Sequence, residues 1–137
     1  MNASRKLAAL GAAFAVAALA VALVAAPATA TRTVRIPSKI SIHSKSLKFS
    51  GKVTAGKYEP CVQQRKVILF RVFSDGSNQA VGETRTDDAG RWTITPQGSA
   101  GISMSRFFAR VKKESQGTAG TIYVCRAARS KTIKPTT

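Results

Sequence analysis

Apolar and polar side chains alternate with a period of two along most of the chain after residue 30. This period is typical of half-buried β-strands, because successive side chains of a strand point to opposite faces. No segment after residue 30 shows the 3.6-residue repeat of an amphipathic helix. Turn residues separate the alternating segments, so the pattern predicts an antiparallel β-sandwich. The predicted strands are 47–53, 65–73, 79–86, 91–95, 106–112 and 121–128, with 129–134 continuing the last strand or pairing again.

The segment 81–95, VGETRTDDAGRWTIT, is the clearest strand–turn–strand pattern in the chain. Asp87 and Gly90 bound a turn, since an Asp side chain can bond the backbone two residues on and Gly adopts positive φ without a Cβ clash. The segment therefore predicts a β-hairpin. Trp92 and Ile94 alternate with polar neighbours, which indicates a core position for the tryptophan; a ligand-stacking role is the alternative.

The run 65–73, RKVILFRVF, carries apolar residues on both faces. Val67 and Leu69 lie on one face, and Ile68, Phe70 and Val72 lie on the other. Such a run is typical of a central strand that is covered, at least in part, on both sides.

The segment 106–112 places three apolar residues inward, whereas its outward positions combine an aromatic ring with basic side chains. An aromatic residue between cations can provide a stacking platform for bases or sugars. The alternative is that Phe108 packs under a neighbouring loop. The candidate polyanion or glycan face consists of Arg106, Phe108, Arg110 and Lys112.

The first thirty residues predict a secretory signal peptide. Arg5 and Lys6 precede a long Ala-rich apolar run, and Ala28-Thr29-Ala30 forms a small-x-small cleavage site. An uncleaved membrane anchor is the alternative, because the run approaches the length of a membrane span. Cleavage after Ala30 leaves 107 of the 137 residues. No second run of that length follows, so we expect a secreted or envelope-associated protein with no transmembrane segment after cleavage.

The domain organisation expected after the signal peptide is simple. A basic N-terminal segment, 31–46, is expected to contribute an edge strand in part, and the sandwich follows at 47–134 with a short tail at 135–137. The two cysteines, Cys61 and Cys125, both belong to the exported part. An even cysteine count in an exported chain predicts one disulfide. Closing the loop between the two cysteines would stabilise the fold by about 4 kcal/mol in the chain-entropy model. Two free buried thiols are the alternative.

The net charge of the full chain is +16. Loss of Arg5 and Lys6 with the signal peptide leaves 20 basic residues against 6 acidic ones, a net charge of +14. A charge of this size indicates solubility and attraction to polyanions, and it carries no information about fold. The expected partners are an anionic cell-wall polymer, an acidic polysaccharide or an anionic lipid surface, with no specific nucleic acid. A solvated surface without a specific partner is the alternative.

Catalytic and metal-binding patterns are missing from the sequence. There is no GxSxG, HExxH, Walker or GxGxxG motif, and His43 is the only histidine. Asp87 and Asp88 are adjacent in a turn, which makes a poor acid–base pair, and they offer too few oxygens for calcium. We therefore expect neither an enzyme nor a cofactor.

Several short motifs resemble the carboxypeptidase regulatory-like domains of the transthyretin-like (prealbumin-like) group. The most specific is Thr86-Asp87-Asp88-Ala89-Gly90-Arg91-Trp92, which is similar to the "TD-x-x-G-aromatic" turn of these domains. The spacings Leu47-x-Phe49-x-Gly51-x-Val53, Arg65-x-Val67-x-Leu69, Gly82 and Phe107-x-Ala109-x-Val111 are also similar. The segment 125–130, with the Ala-rich leader, resembles small secreted actinobacterial proteins of uncharacterised function.

The resemblance implies an all-β, antiparallel Greek-key sandwich of about seven strands, immunoglobulin- or transthyretin-like, with a non-catalytic accessory role. The function expected from charge and resemblance together is binding or structural support at the cell envelope through the basic surface. The alternative is a carbohydrate-binding module that uses aromatics such as Phe108, Tyr58 or Tyr123.

Overall fold

The computed structural model describes residue 26 and the ranges 30–98 and 101–136. The predicted signal peptide and its cleavage site therefore lie almost wholly outside the described residues. Within the described ranges the chain forms eleven strands and one turn of 3-10 helix, Glu59–Cys61. The strands are β1 Arg32–Ile36, β2 Lys39–Ile40, β3 His43–Lys45, β4 Lys48–Thr54, β5 Lys66–Val72, β6 Asn78–Arg85, β7 Arg91–Ile94, β8 Arg106–Val111, β9 Glu114–Thr118, β10 Thr121–Cys125 and β11 Ala128–Arg129.

Two sheets form the sandwich. Sheet I has the strand order β11-β8-β5-β6, and all of its pairs are antiparallel. Sheet II is built on β4, which pairs with β2 and β3 along one edge and with β7 along the other. The all-β sandwich prediction is confirmed. The described strands outnumber the expected seven, and two of them, β2 and β11, have only two residues.

The core lies between sheets I and II. Alternate residues of each sheet point inward and form one buried cluster. This arrangement is favourable because it removes their apolar surface from water. Phe49 of β4 and Phe107 of β8 are fully buried, and their ring centroids lie 4.6 Å apart. Trp92 is 3% exposed and belongs to the same core, as its alternation predicts. The central-strand prediction for β5 is also confirmed, since β5 pairs with β6 on one side and β8 on the other.

A third, smaller sheet holds the disulfide. Its order is β1-β10-β9, with β1 parallel to β10 and β9 antiparallel to it. Cys125 ends β10 and is bonded to Cys61 of the 3-10 turn, across a sequence separation of 64 residues. The predicted disulfide is confirmed. Both cysteines are fully buried in a small cluster with Ala55, separate from the main core.

Arg65 is a fully buried charged residue immediately before β5. Its guanidinium donates hydrogen bonds to the carbonyl oxygens of Cys61, Lys112 (2.7 Å) and Arg126 (3.1 Å), and to the hydroxyl of Ser38 (3.2 Å). These bonds satisfy Nη1 and Nη2, as the burial of a charge requires, whereas Nε makes no hydrogen bond among the described residues and lies 3.9 Å from the Glu114 carboxylate. Burial lowers the pKa of Arg65, and the nearby Glu114 carboxylate opposes that shift. The side chain thus joins the ends of several segments around the disulfide.

The predicted hairpin at 81–95 is wrong in its pairing. The turn exists, and the Asp87 carbonyl accepts a hydrogen bond from the Gly90 amide at 3.0 Å. The strands on either side enter different sheets, however: β6 pairs with β5 and β7 pairs with β4. The Thr86 amide still donates to the Arg65 carbonyl and the Arg65 amide donates to the Thr86 hydroxyl, whereas the Gly90 carbonyl accepts from the amide of Val53. The segment is therefore a corner between the two layers of the sandwich.

Candidate basic groove on sheet I

Three of the four residues predicted for a polyanion or glycan face, Arg106, Phe108 and Arg110, occupy the outer side of β8, and Lys112 directly follows the strand. Their positions alternate with core residues, and the register places Phe108 opposite Phe70 and Arg110 opposite Ile68 on β5. On the other side of β8, Arg129 of β11 lies directly opposite Arg110. The outer side of sheet I therefore carries aromatic rings in its middle and cations along β8 and β11.

Phe108 is covered rather than offered to solvent. It is only 5% exposed, since its ring stacks on Phe70 with centroids 5.0 Å apart and an interplanar angle of 13°. The guanidinium carbon of Arg129 lies 3.7 Å from the centroid of the Phe108 ring. Because β8 lies between β11 and β5, these contacts form a row across three strands. Arg129 is thereby fixed over the ring by a cation–π contact.

Two adjoining depressions follow this row. The first has a volume of about 410 Å³ and the second about 380 Å³, and they share Phe70, Arg110 and Ala127 in their walls. We name the pair the basic groove. Its side-chain walls consist mainly of Phe70, Phe108, Arg110, Lys112, Lys113 and Arg129. Asn78 of the edge strand β6 supplies a neutral polar group at one end.

The structure does not bring all four predicted residues into this groove. Phe108, Arg110 and Lys112 line it. Arg106 lines a separate depression with Ser105 and the highly exposed Met104. Arg129 and Phe70 were missed as site residues. The alternation of 65–73 puts Phe70 on an outward face, but only the pairing of β11 with β8 places Arg129 there.

The groove is electrostatically one-sided. The ion pairs within 4.0 Å include those of Arg65, Lys66, Arg85 and Arg91. Lys66, on the same outer face, contacts Glu83 at 2.9 Å. The groove cations Arg110, Lys112, Lys113 and Arg129 have no carboxylate at that distance in the described part of the chain. Arg110 and Arg129 are also directly opposed like charges, an arrangement that destabilises a sheet unless something compensates.

The remaining candidate residues have structural surroundings. Tyr58 and Tyr123 stack on each other beside the disulfide, with ring centroids 4.4 Å apart. Desolvation raises the pKa of Tyr58, and the charge on Tyr123 raises it further by a smaller amount. Asp87 caps its own turn by accepting bonds from the amides of Ala89 and Arg91, at 2.9 and 2.8 Å. His43 lies on the outer side of sheet II, opposite Ser50.

Across the ranges that the structure covers, no three His, Cys, Asp or Glu side chains lie close enough together to hold a metal ion. Within the same ranges, no helix has the length and apolar character needed to cross a membrane. No protein-family model matches the chain, and neither does any curated protein or solved structure.

Proposed function

We propose that the chain is an exported, non-catalytic binding module that attaches to an anionic polymer of the cell envelope through the basic groove. The observation that carries this proposal is the set of groove cations with no described carboxylate within ion-pair distance. Two of them, Arg110 and Arg129, oppose each other directly. An anionic ligand would relieve that repulsion, whereas solvent alone only screens it.

The chemistry of the groove favours an acidic polysaccharide over a lipid surface. Phe108 is recessed beneath Arg129, and Phe70 is half-buried, so these rings line a depression and do not protrude for insertion between acyl chains. Arg guanidinium groups bind carboxylate and phosphate through paired hydrogen bonds. A sugar ring could lie against the exposed part of Phe70 while its acidic group meets Arg110.

The proposal includes export and the family resemblance. The Cys61–Cys125 disulfide supports export, because disulfides persist in oxidising compartments. The two-layer sandwich supports a place near the transthyretin-like, carboxypeptidase regulatory-like group. Amino-terminal sequencing of the protein recovered from the culture medium tests export: the sequence should begin at Thr31, and an intact Met1 terminus on cell-bound protein would refute cleavage.

The binding test uses the mature protein, immobilised polygalacturonate and a salt series from about 0.05 to about 0.5 M. R110Q/K112Q removes two groove cations, and R32Q/R35Q removes two exposed cations from β1 as a control of equal charge. We expect about a tenfold weaker Kd and a shallower salt dependence for R110Q/K112Q, since fewer counterions are released on binding. Equal losses in both variants, or binding that ignores salt, would overturn the groove assignment.

Binding to a neutral glycan is a second candidate, favoured by the half-buried ring of Phe70 next to the Asn78 amide. Its affinity would survive high salt and would depend on the aromatic surface. A neutral polymer such as dextran, tested with F70A and with R110Q/K112Q, separates the two candidates. Loss of dextran binding in F70A alone favours the neutral glycan, whereas loss of polygalacturonate binding in R110Q/K112Q alone favours the acidic polymer.

A further inference from the structure

The outer side of sheet II is a second basic surface. Nine positions of β2, β3, β4 and β7 alternate with core residues and point outward, and each carries a Lys, Arg, His, Ser or Thr. We name this surface the lysine face. Its residues are Lys39, His43, Lys45, Lys48, Ser50, Lys52, Thr54, Arg91 and Thr93. All except the half-buried Ser50 are exposed.

Like charges oppose each other directly across the lysine face. Lys45 of β3 is in register with Lys48 of β4, and Lys52 of β4 is in register with Arg91 of β7. Opposed like charges destabilise a sheet. The Arg91 guanidinium contacts Asp87 at 2.9 Å, but none of the four lysines has a carboxylate within 4.0 Å among the described residues. The face therefore accumulates positive charge at a cost to folding, which an anionic ligand would offset.

The lysine face and the basic groove point in opposite directions. The core separates sheets I and II, as the contact between Phe49 and Phe107 shows, and packed sheets lie about 10 Å apart. Side chains on the two outer faces extend away from each other by a further side-chain length. A stiff polymer lying on one face therefore leaves the other free.

We propose that the lysine face is a second polyanion site, and that the protein cross-links two anionic polysaccharide chains by holding one on each face. This inference rests on the proposed function of the basic groove. Charge complementarity selects the occupant of the lysine face. A surface with no aliphatic or aromatic side chain has nothing to insert into a lipid layer, and lysine ammonium groups act as hydrated point charges that suit a hydrophilic polyanion.

Cross-linking has a dependence on protein concentration that simple binding lacks. At low concentration each protein molecule can hold two polymer chains, whereas excess protein saturates every chain separately. The amount of polymer bridged should therefore pass through a maximum as protein is added. High salt should abolish it, because both faces act through charge.

The test measures how much fluorescent polygalacturonate the protein captures onto polygalacturonate-coated beads, with bound protein measured in the same sample. K48Q/K52Q removes two lysines from the lysine face, R110Q/K112Q removes two cations from the basic groove, and R32Q/R35Q is the control of equal charge. We expect each face variant to lose no more than about tenfold in its affinity for the beads. At matched bead occupancy, however, each should lose most of the bridging. R32Q/R35Q should bridge like the wild type. Light scattering of each free protein measures its oligomeric state: we expect a monomer, and a dimer would refute cross-linking by the two faces of one molecule.

The outcomes separate the two proposals. Wild-type bridging by K48Q/K52Q, at matched occupancy, would overturn the lysine face and leave the groove in place. Wild-type binding and bridging by R110Q/K112Q would overturn the groove, while loss of binding in K48Q/K52Q would then support the lysine face as a site by itself but refute cross-linking. An equal loss of binding and bridging in all three variants would refute both sites, because it would show that only the net charge of the protein matters. K48Q/K52Q should also be at least as stable as the wild type, since it removes opposed like charges.

Discussion

Gly51 of β4 lies directly opposite Trp92 of β7, and the absence of a side chain at residue 51 makes room for the tryptophan ring. A Cβ at this position would lie 1.9 Å from the carbonyl oxygen of Ser41 and 2.9 Å from the Trp92 ring. Real carbon atoms do not approach so closely. The glycine therefore sets both the distance between the β2–β3 segment and β4 and the position of a large core side chain.

Replacing Gly51 with alanine should destabilise the protein by about 2–4 kcal/mol, because backbone and core must both move to admit one methyl group. Denaturant unfolding of the mature protein measures the change. G117A is the matched control, since a Cβ at Gly117 would approach nothing closer than 4.0 Å. Similar stability for G51A and G117A would show that the close approach at residue 51 is not a constraint on the fold.

Arg65 predicts a second large effect. R65M keeps much of the side-chain volume but leaves the carbonyl oxygens of Cys61, Lys112 and Arg126 without their donor. Unpaired buried acceptors cost about 1–3 kcal/mol each, so we expect a loss of about 3 kcal/mol or more in the free energy of unfolding. R65K should be intermediate, because an ammonium group can satisfy only part of this set.

The control for Arg65 is its neighbour Lys66, whose contact with Glu83 is partly exposed. Such surface ion pairs contribute about 0–1 kcal/mol, so K66M should be nearly neutral. A loss in R65M no larger than that in K66M would contradict a structural role for the buried guanidinium.

The core was accessible from the sequence because it depends on local alternation. Phe49 and Trp92 each stand between polar neighbours, Phe107 alternates with Ala109 and Val111, and all of them are buried. The pairing of strands was less accessible. The turn at Asp87–Gly90 has the same local chemistry whether its flanking strands pair with each other or enter separate sheets. The difference depends on contacts far along the chain, such as the bond from the Val53 amide to the Gly90 carbonyl.

The site residues divide in the same way. Arg110 and Lys112 follow from alternation along one strand, and both lie on the outer face. Arg129 belongs to a two-residue strand whose neighbour in the sheet is set by tertiary structure, so no local pattern placed it over Phe108. Arg65 was predicted only as the first residue of a strand. Its burial became visible once the ends of several segments were assembled around it.

Asp87 predicts the pH dependence of stability. Bonds from the Arg91 amide, opposed by desolvation and helped by the Arg91 guanidinium and the Ala89 amide, lower the pKa of this carboxyl group. A folded pKa below the unfolded value means that the stabilisation is complete above the unfolded pKa, about 3.9. It is lost as the pH falls through the folded pKa. D87N should therefore lose less stability than the wild type between about pH 5 and pH 2.

Denaturant unfolding at several pH values measures this effect, and D88N, which alters the adjacent turn residue, is the control. D88N should keep the acid sensitivity that D87N loses. Asp75 also has a lowered pKa, through its bonds from Ser77, so some acid sensitivity should persist in D87N. Identical acid profiles for the wild type and D87N would contradict the capping role of the ionised carboxylate.

Arg129 allows the structural and ligand-binding roles of the basic groove to be separated. R129A removes the exposed cation that lies 3.7 Å from the centroid of the Phe108 ring, and the loss of this contact should cost about 0.5–1 kcal/mol. It also uncovers the ring. Binding of polygalacturonate should weaken, because a groove cation is lost, while binding of neutral dextran should strengthen if uncovered aromatic surface is what that polymer needs.

R126A is the control, since Arg126 is exposed two residues before Ala128 and its backbone, not its side chain, accepts the bond from Arg65. Unfolding and binding of both polymers are measured for the two variants. R129A should lose more stability and more polygalacturonate affinity than R126A. Equal effects would mean that Arg129 contributes only its charge to the surface, and that its position over Phe108 matters neither to the fold nor to the groove.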